Sequence, residues 1–389
     1  MKEALPTGQS DREYLVDIIR GFALVGVLLA NFSSYVEQQT PEPILNAIST
    51  WPDRFLSGFN VLFLEWKFMN LFSILFGYGF GLILESVSRK NINPNTFFLK
   101  RMIWLFVFGF IHCLFWWGDV LHLYAMSGIL LLFFKERSTK TILYISVVCM
   151  FLIPVCIAYL LRNRPETFTA ADMASVYMQY KQESLIDLFS FNLQFYYRMF
   201  IDSGSNFHDI IQTLGRFLFG FFLMRVRFFQ SPDSKTAMFR KIIAISGPLA
   251  ISYFVFRWLL MNDDLDLNRY LTSLILSVGI FCTTTFYVCM LVLAYLQLGM
   301  NRFFSALRDL GRMTLSNYLL ISTFLVLLLY GVGLNKLGEI SIHTSWLLAL
   351  VWLSLEVLFS VLWLKKFRFG PLEWIWRQLT YWKRIPIAK

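Results

Sequence analysis

One stretch near the start of the chain restricts the fold more than any other. From Tyr14 to Phe32 the sequence is long and apolar enough to cross a bilayer, yet it carries Asp17, Arg20 and Asn31. Hydrocarbon offers no water to such groups, so each must be paired or turned toward an interior. At about 100° per helical residue, Asp17 and Arg20 are about 300° apart, and Arg20 and Asn31 about 20° apart after full turns. All three lie on one stripe. With about 1.5 Å of rise per residue, Arg20 and Asn31 differ in depth by roughly 16 Å. The stripe faces other helices or a cavity, not lipid, so this segment is one member of a bundle.

Composition extends that conclusion to the whole chain. Of 389 residues 57% are hydrophobic and only 15% charged, where a soluble domain carries about a quarter charged residues. No alternating β-barrel pattern is present. The expected fold is all-α, a polytopic transmembrane helical bundle. Ten spans are expected, near 14–36, 66–88, 98–117, 119–134, 140–161, 208–229, 239–261, 270–298, 312–332 and 343–364. The third and fourth are joined by a tight turn at Trp117-Gly118-Asp119.

The net charge of +10 does not call for nucleic acid, because its distribution follows the positive-inside rule. With the N-terminus placed in the cytoplasm, inside segments hold 24 of the 35 Lys and Arg and outside segments hold 8. Arg20, Arg216 and Arg257 lie within spans. Both termini are therefore expected in the cytoplasm. The first segment carries internal charges and no small-x-small exit, so it is expected to remain rather than be cleaved. The 162–207 region reads as an outer loop whose aromatic part is either an interfacial helix or a lid. The 365–389 region, with Trp374, Trp376 and Arg377, reads as a cytoplasmic interfacial tail. The acidic turn 262–266 reads as solvated. The five cysteines all sit in apolar segments without ligand spacing, so neither a disulfide framework nor a metal site is expected.

The densest polar cluster within the apolar segments is His112, Asp119 and His122, toward the outer face. Asp119 and His122, at i and i+3, share a helical face. A carboxylate that orients an imidazole is the usual make-up of a general base. Asn31 reaches a similar depth and could donate to a developing oxyanion. The same cluster could instead tie helices together or bind a transported solute. Near the inner face, Asp17 and Arg20 read as a helix-locking pair or as part of a site for a cytoplasmic anion. Glu356 is a second possible partner for Arg20. Arg312 and Asn317, at the start of the ninth span, are candidates to line a cytoplasmic mouth. Lys67, which could snorkel, and Arg216, a possible partner of Asp119, are candidates for contact with substrate. No P-loop, GxSxG, HExxH or strand-linked GxGxxG is present, which argues against ATP-driven pumping and soluble-type hydrolysis.

Several stretches taken together resemble the bacterial YeiB-like membrane proteins. They are Asp17 to Gly26 with Asn31, Lys67-Phe68 with Leu71 to Gly77, Gly118 to Leu121, Gly311 to Met313 with Asn317-Tyr318, and Gly370 to Trp374. More distantly, the chain is similar to transmembrane acyltransferases such as heparan-α-glucosaminide N-acetyltransferase, where an Asp-x-x-Arg-Gly helix is followed by an asparagine at the place of Asn31. That resemblance implies acyl transfer from cytoplasmic acetyl-CoA, or another acyl-CoA, to a small-molecule, glycan or lipid acceptor across the bacterial inner membrane. It implies Asn31 as a site residue and Arg20 as scaffold or cofactor contact. The 37–66 region contains no histidine, so the chain departs from that enzyme at its outer-loop histidine; if His112 or His122 takes that role, the geometry differs. The leading expectation is a membrane-embedded acyltransferase. The alternatives are a transporter or exporter of a small anion or metabolite, and a scaffold. A homodimer is compatible with all three.

Overall fold

Helices cover the apolar segments in the computed structural model, which describes residues 14–160, 169–202, 205–262 and 267–389. They are α1 Tyr14–Glu37, α2 Glu42–Ile48, α3 Trp51–Phe59, α4 Lys67–Ser88, α5 Pro94–Phe115, α6 Leu121–Leu131, α7 Thr139–Val147 and α8 Ile153–Leu160. Next come α9 Ala170–Tyr180, α10 Leu185–Tyr196, α11 Ser205–Arg225, α12 Thr236–Met261 and α13 Arg269–Leu298. The chain closes with α14 Arg302–Arg312, α15 Thr314–Leu329, α16 Ile342–Lys366 and α17 Pro371–Tyr381. Among the described residues the only β pairing is an isolated bridge between Phe367 and Ala388. Four residues of the acidic turn, 263–266, lie outside the described residues.

Among the described residues seven helical stretches are long and apolar enough to cross a bilayer, or eight if α14 and α15, bent by 81°, count as one crossing. The chain is an all-α, multi-pass membrane protein. Two of the expected spans are atypical. The α6 helix has only 11 residues, and α11 carries His208, Asp209, Gln212 and Arg216 along its first turns.

Helix direction sorts the chain into two ends. At the basic end Arg308 lies over the Tyr14 ring (5.7 Å), Lys135 reaches Asn95 (2.8 Å), and the Trp376 indole donates to the Arg101 carbonyl (2.9 Å). At the opposite end Asp53 accepts from the His343 amide (2.7 Å), and Asn192 donates to the Leu114 carbonyl (2.8 Å). The expected outer loop contributes α9 and α10. Rather than lying free on a membrane surface, α10 buries Leu188, Asn192 and Phe195 and packs on α5. The tail does likewise: α17 docks across α5 and α15 with Trp376 and Thr380 buried.

Two close crossings hold the bundle together. The α1 and α14 backbones touch at Gly21 and Gly311: a Cβ on Gly21 would collide with the Leu307 carbonyl, and one on Gly311 with the Asp17 carbonyl. The α4 and α11 backbones touch in the same reciprocal way, Gly77 against the Phe217 carbonyl and Gly220 against the Ile74 carbonyl. Lipid tails are as apolar as leucine, so helices in a bilayer gain from such backbone approach rather than from hydrophobic burial alone. A side chain at these positions meets peptide backbone, which cannot rotate away. Gly21→Val or Gly77→Val should therefore cost about 3 kcal/mol through overpacking. Gly58→Ala should be neutral or stabilising by about 0.5–1 kcal/mol, because its Cβ meets only Met261 Cε at 3.8 Å. Thermal unfolding in detergent micelles measures both. Equal melting temperatures for Gly21→Val and Gly58→Ala would refute the backbone-contact account.

Candidate functional site

The turn between α5 and α6 builds the site. Asp119 closes the first turn of α6, its Oδ2 accepting from the His122 amide at 3.0 Å. That bond sets the direction of α6 and points the His122 ring back at the same carboxylate, with Nδ1 2.8 Å from Oδ2. His112, in the last turn of α5, brings its Nδ1 to 2.7 Å from Oδ1. One carboxylate thus holds two imidazoles, and all three side chains are buried. The approach is possible because residue 109 is glycine. A Cβ there would lie 2.5 Å from the His122 amide nitrogen and 2.8 Å from Asp119 Oδ2.

A carboxylate accepts but does not donate, so each imidazole presents N–H at Nδ1 and leaves Nε2 for other chemistry. Both Nε2 atoms are buried and have no hydrogen-bond partner among the described residues. Aromatic rings fix the imidazole planes: Tyr318 stands edge-on to His112 at 5.4 Å and Tyr196 to His122 at 4.9 Å. Tyr196 belongs to α10, so the outer region covers the pair directly.

Below this turn lies a cavity of about 310 Å³. Its basic end is lined by five arginines, Arg20, Arg101, Arg312, Arg368 and Arg377, together with Glu373 and Trp376. Its middle is apolar, walled by Met69, Phe72, Phe76, Phe80 and Ile83 of α4 and by Phe98 and Leu105 of α5. Its inner limit is Val120, Leu121, Tyr124 and Tyr318, which flank the Asp119 turn or stack on His112. The arginines are held in place. Arg20 pairs with Asp17 (2.9 Å), Arg312 donates to the Arg368 carbonyl (3.0 Å), and Arg101 lies over the Trp376 ring (3.6 Å). Glu373 is the one acid on this wall, against five arginines. Its carboxylate caps α15, accepting from the Leu315 and Ser316 amides (2.7 and 3.0 Å) and from the Ser316 hydroxyl (2.5 Å).

The structure brings His112, Asp119 and His122 together, and it sets Arg20 and Arg312 on the cavity wall. Asn31 lies on the face of α1 between Val27, which lines the cavity, and Tyr35, whose ring sits 4.4 Å from Trp116. Its buried Nδ2 has no partner among the described residues. Four other expectations are corrected. Arg216 does not meet Asp119, whose two oxygens are taken up by the histidines; it donates to Gln212 (2.5 Å). Lys67 does not snorkel: it is buried, donates to the Val61 carbonyl (2.7 Å) and lies over Tyr253, away from the cavity lining. Asn317 does not line the cavity, and its amide ties α15 to Ser360 of α16 (3.0 Å). Glu356 is not the partner of Arg20. It accepts from the Trp352 indole (2.8 Å). Arg101, Arg368 and Arg377 are the site residues that sequence reasoning missed. Their charge entered only the topology count, although the Trp376-Arg377 pair in the tail was a usable signal.

Comparison with known proteins finds one family model, and three relatives that match along nearly their whole length. A family model described as "Protein of unknown function (DUF418)" matches residues 223–383, from the end of α11 through α17. An uncharacterized 39.9 kDa protein in the amylase 3' region of Bacillus acidopullulyticus is 27% identical, covering 98% of this chain and 97% of that protein. The uncharacterized protein YxaH of Bacillus subtilis is 26% identical over 100% of this chain and 99% of its own length. The uncharacterized protein YeiB of Escherichia coli is 27% identical over 95% of this chain and 96% of its own. No solved structure matches. The family model and these full-length relatives support a YeiB-like assignment: the chain is similar along its whole length to the YeiB and YxaH proteins.

Proposed function

We propose that the protein is a membrane-embedded acyltransferase of the bacterial cytoplasmic membrane. It takes an acyl group, acetyl in the simplest case, from a CoA thioester at the cytoplasmic face and passes it to an acceptor at the other. The observation that carries this reading is one cavity with five arginines at its basic end, an apolar middle, and Val120 and Leu121, the residues that directly follow Asp119, at its far end; His112, Asp119 and His122 lie just behind that wall rather than on it. The positive-inside count makes the basic end cytoplasmic.

Each part has a task in this reading. The donor is a substrate with several phosphate groups on one end of a long, mostly uncharged arm. Guanidinium forks bind phosphate bidentately and keep their charge, which suits Arg101, Arg312, Arg368 and Arg377 to the phosphates. The arm lies in the apolar cavity. Arg101 and His112 are eleven residues apart on α5, roughly 16 Å along the helix, a distance that an extended pantetheine arm bridges. At the inner limit, the Nε2 of His112 or His122 takes the proton of the acceptor as it attacks the thioester carbonyl. Asp119 steadies the imidazolium that results. The Asn31 amide donates to the oxyanion.

Labelled acetyl-CoA and detergent-purified protein test the reading. The unmodified protein should bind the donor and hydrolyse it slowly without acceptor. Removing one charge-assisted contact to phosphate, as in Arg101→Ala or Arg377→Ala, should cost about 1.5 kcal/mol, or roughly tenfold in Kd. Asp119→Asn should leave donor binding intact while lowering turnover by roughly a hundredfold to ten-thousandfold, the usual worth of general-base catalysis. Nitrogen-15 NMR of labelled histidine should show two Nδ1–H imidazoles in the unmodified protein and a change at both on Asp119→Asn. Absence of donor binding, with solute uptake into proteoliposomes that Asp119→Asn abolishes, would make the protein a transporter instead.

A further inference from the structure

A second set of buried side chains lies beyond the donor cavity. The stripe of α1 that carries Arg20 and Val27 continues through Asn31 and Tyr35, each four residues on and so about 40° further round, and Gln39 comes just past the helix end at Glu37. Thr40 follows directly. Tyr35, Gln39 and Thr40 are each exposed by 1% or less. Asn31 Nδ2 and Thr40 Oγ1 have no hydrogen-bond partner among the described residues, and neither has the indole nitrogen of Trp346. The stripe is joined to the catalytic turn through rings: Tyr35 lies 4.4 Å from Trp116, and Trp116 lies 6.0 Å from His112. His112, whose Nε2 is without a hydrogen-bond partner among the described residues, is the histidine this chain of rings reaches.

Buried polar atoms are almost always bonded, so several orphans along one stripe mark a place where another molecule completes the set. The chemistry of the set says what kind of molecule. It offers amide, hydroxyl and imidazole groups beside aromatic faces, all neutral. The acid nearest in sequence, Glu37, is two residues past Tyr35, about 200° away around the helix, and its carboxylate accepts from Ser33 at 2.9 Å. Asp119 has both oxygens engaged. An ammonium group would need a carboxylate here, and a phosphate or carboxylate would need a cation. A hydroxyl needs neither.

We propose that this stripe is the acceptor site and that the acceptor is a neutral alcohol, acylated on oxygen. The inference rests on the acyltransferase reading above. In the step it implies, the acceptor hydroxyl gives its proton to a histidine Nε2 and its oxygen bonds to the thioester carbonyl carbon. The C–S bond then breaks, and the departing thiolate takes the proton back from the imidazolium. The products are an ester and free CoA thiol.

The test uses full-length protein in detergent, labelled acetyl-CoA and three probe acceptors: methyl glucoside as neutral polyol, glucosamine as amine, and glucose 6-phosphate as anion. Label should pass to methyl glucoside in a form that is stable to neutral hydroxylamine but released by alkaline hydroxylamine, as an oxygen ester is. Tyr35→Phe and Thr40→Val should each raise the KM for methyl glucoside about tenfold while the Kd for acetyl-CoA stays unchanged. An alkali-stable amide on glucosamine, or preference for the phosphate, overturns the inference while leaving the donor reading in place. So does labelling of none of the three with donor hydrolysis indifferent to Tyr35→Phe. Failure to bind acetyl-CoA at all overturns the donor reading, and this one with it.

Discussion

The contact between Gly21 and Gly311 is the constraint from which the basic end follows. Because both residues lack a side chain, α14 can press its backbone onto α1 and bury Phe304, Leu307 and Leu310 there. Held against α1, α14 cannot run on in line with α15, and the chain turns by 81° at Met313. That turn leaves the first amides of α15 without helical partners. Glu373 supplies the missing acceptor, which anchors α17. Anchored so, α17 brings Trp376 beneath Arg101 and Arg377 to the cavity wall. One pair of glycines thus leads, step by step, to the concentration of arginine at the mouth.

At the other limit of the cavity the governing fact is electrostatic. A lone carboxylate inside a bilayer is costly, and the cost falls when hydrogen-bond donors satisfy its lone pairs. Asp119 receives three, from two imidazoles and one amide. A purely structural tie between α5 and α6 would be complete with one imidazole. The second leaves another buried Nε2 open, which adds a penalty to the fold and a proton acceptor to the site. The chain accepts the penalty at the point where the cavity ends.

What could be read in the sequence depended on whether the relevant contact was local. Asp119 with His122 was legible, because i and i+3 on a helix fix the geometry. His112 joined them through a short turn, and the stripe of Asp17, Arg20 and Asn31 followed from helical phase alone. The errors arose where phase says which residues share a face but not which helix that face meets. Arg216 and Glu356 each found a partner one turn away on their own helix, Gln212 and Trp352, rather than across the bundle. Lys67 had a carbonyl six residues back, at Val61, because the backbone between them takes a π-helical turn that no propensity announced. Arg101 and Arg377 are 276 residues apart, and only the docking of α17 brings them to one cavity.

This division of labour gives α1 two unlike halves. Toward the basic end its stripe carries a paired arginine and faces a cavity. Beyond Asn31 come buried neutral polar groups, Tyr35 on the helix and Gln39 and Thr40 just past its end, each with an atom that has no partner among the described residues. A helix whose only task was packing would avoid such groups in its second half, since leucine would fill the space at lower cost. A helix lining a single uniform channel would continue the open cavity through both halves. Charge at one end, orphaned neutral polarity at the other and Asn31 between them fit two different molecules approaching a shared point from opposite sides. The reacting atoms would then meet at the depth of Asn31, beside Asp119, a carboxylate whose two oxygens are both committed to holding histidines.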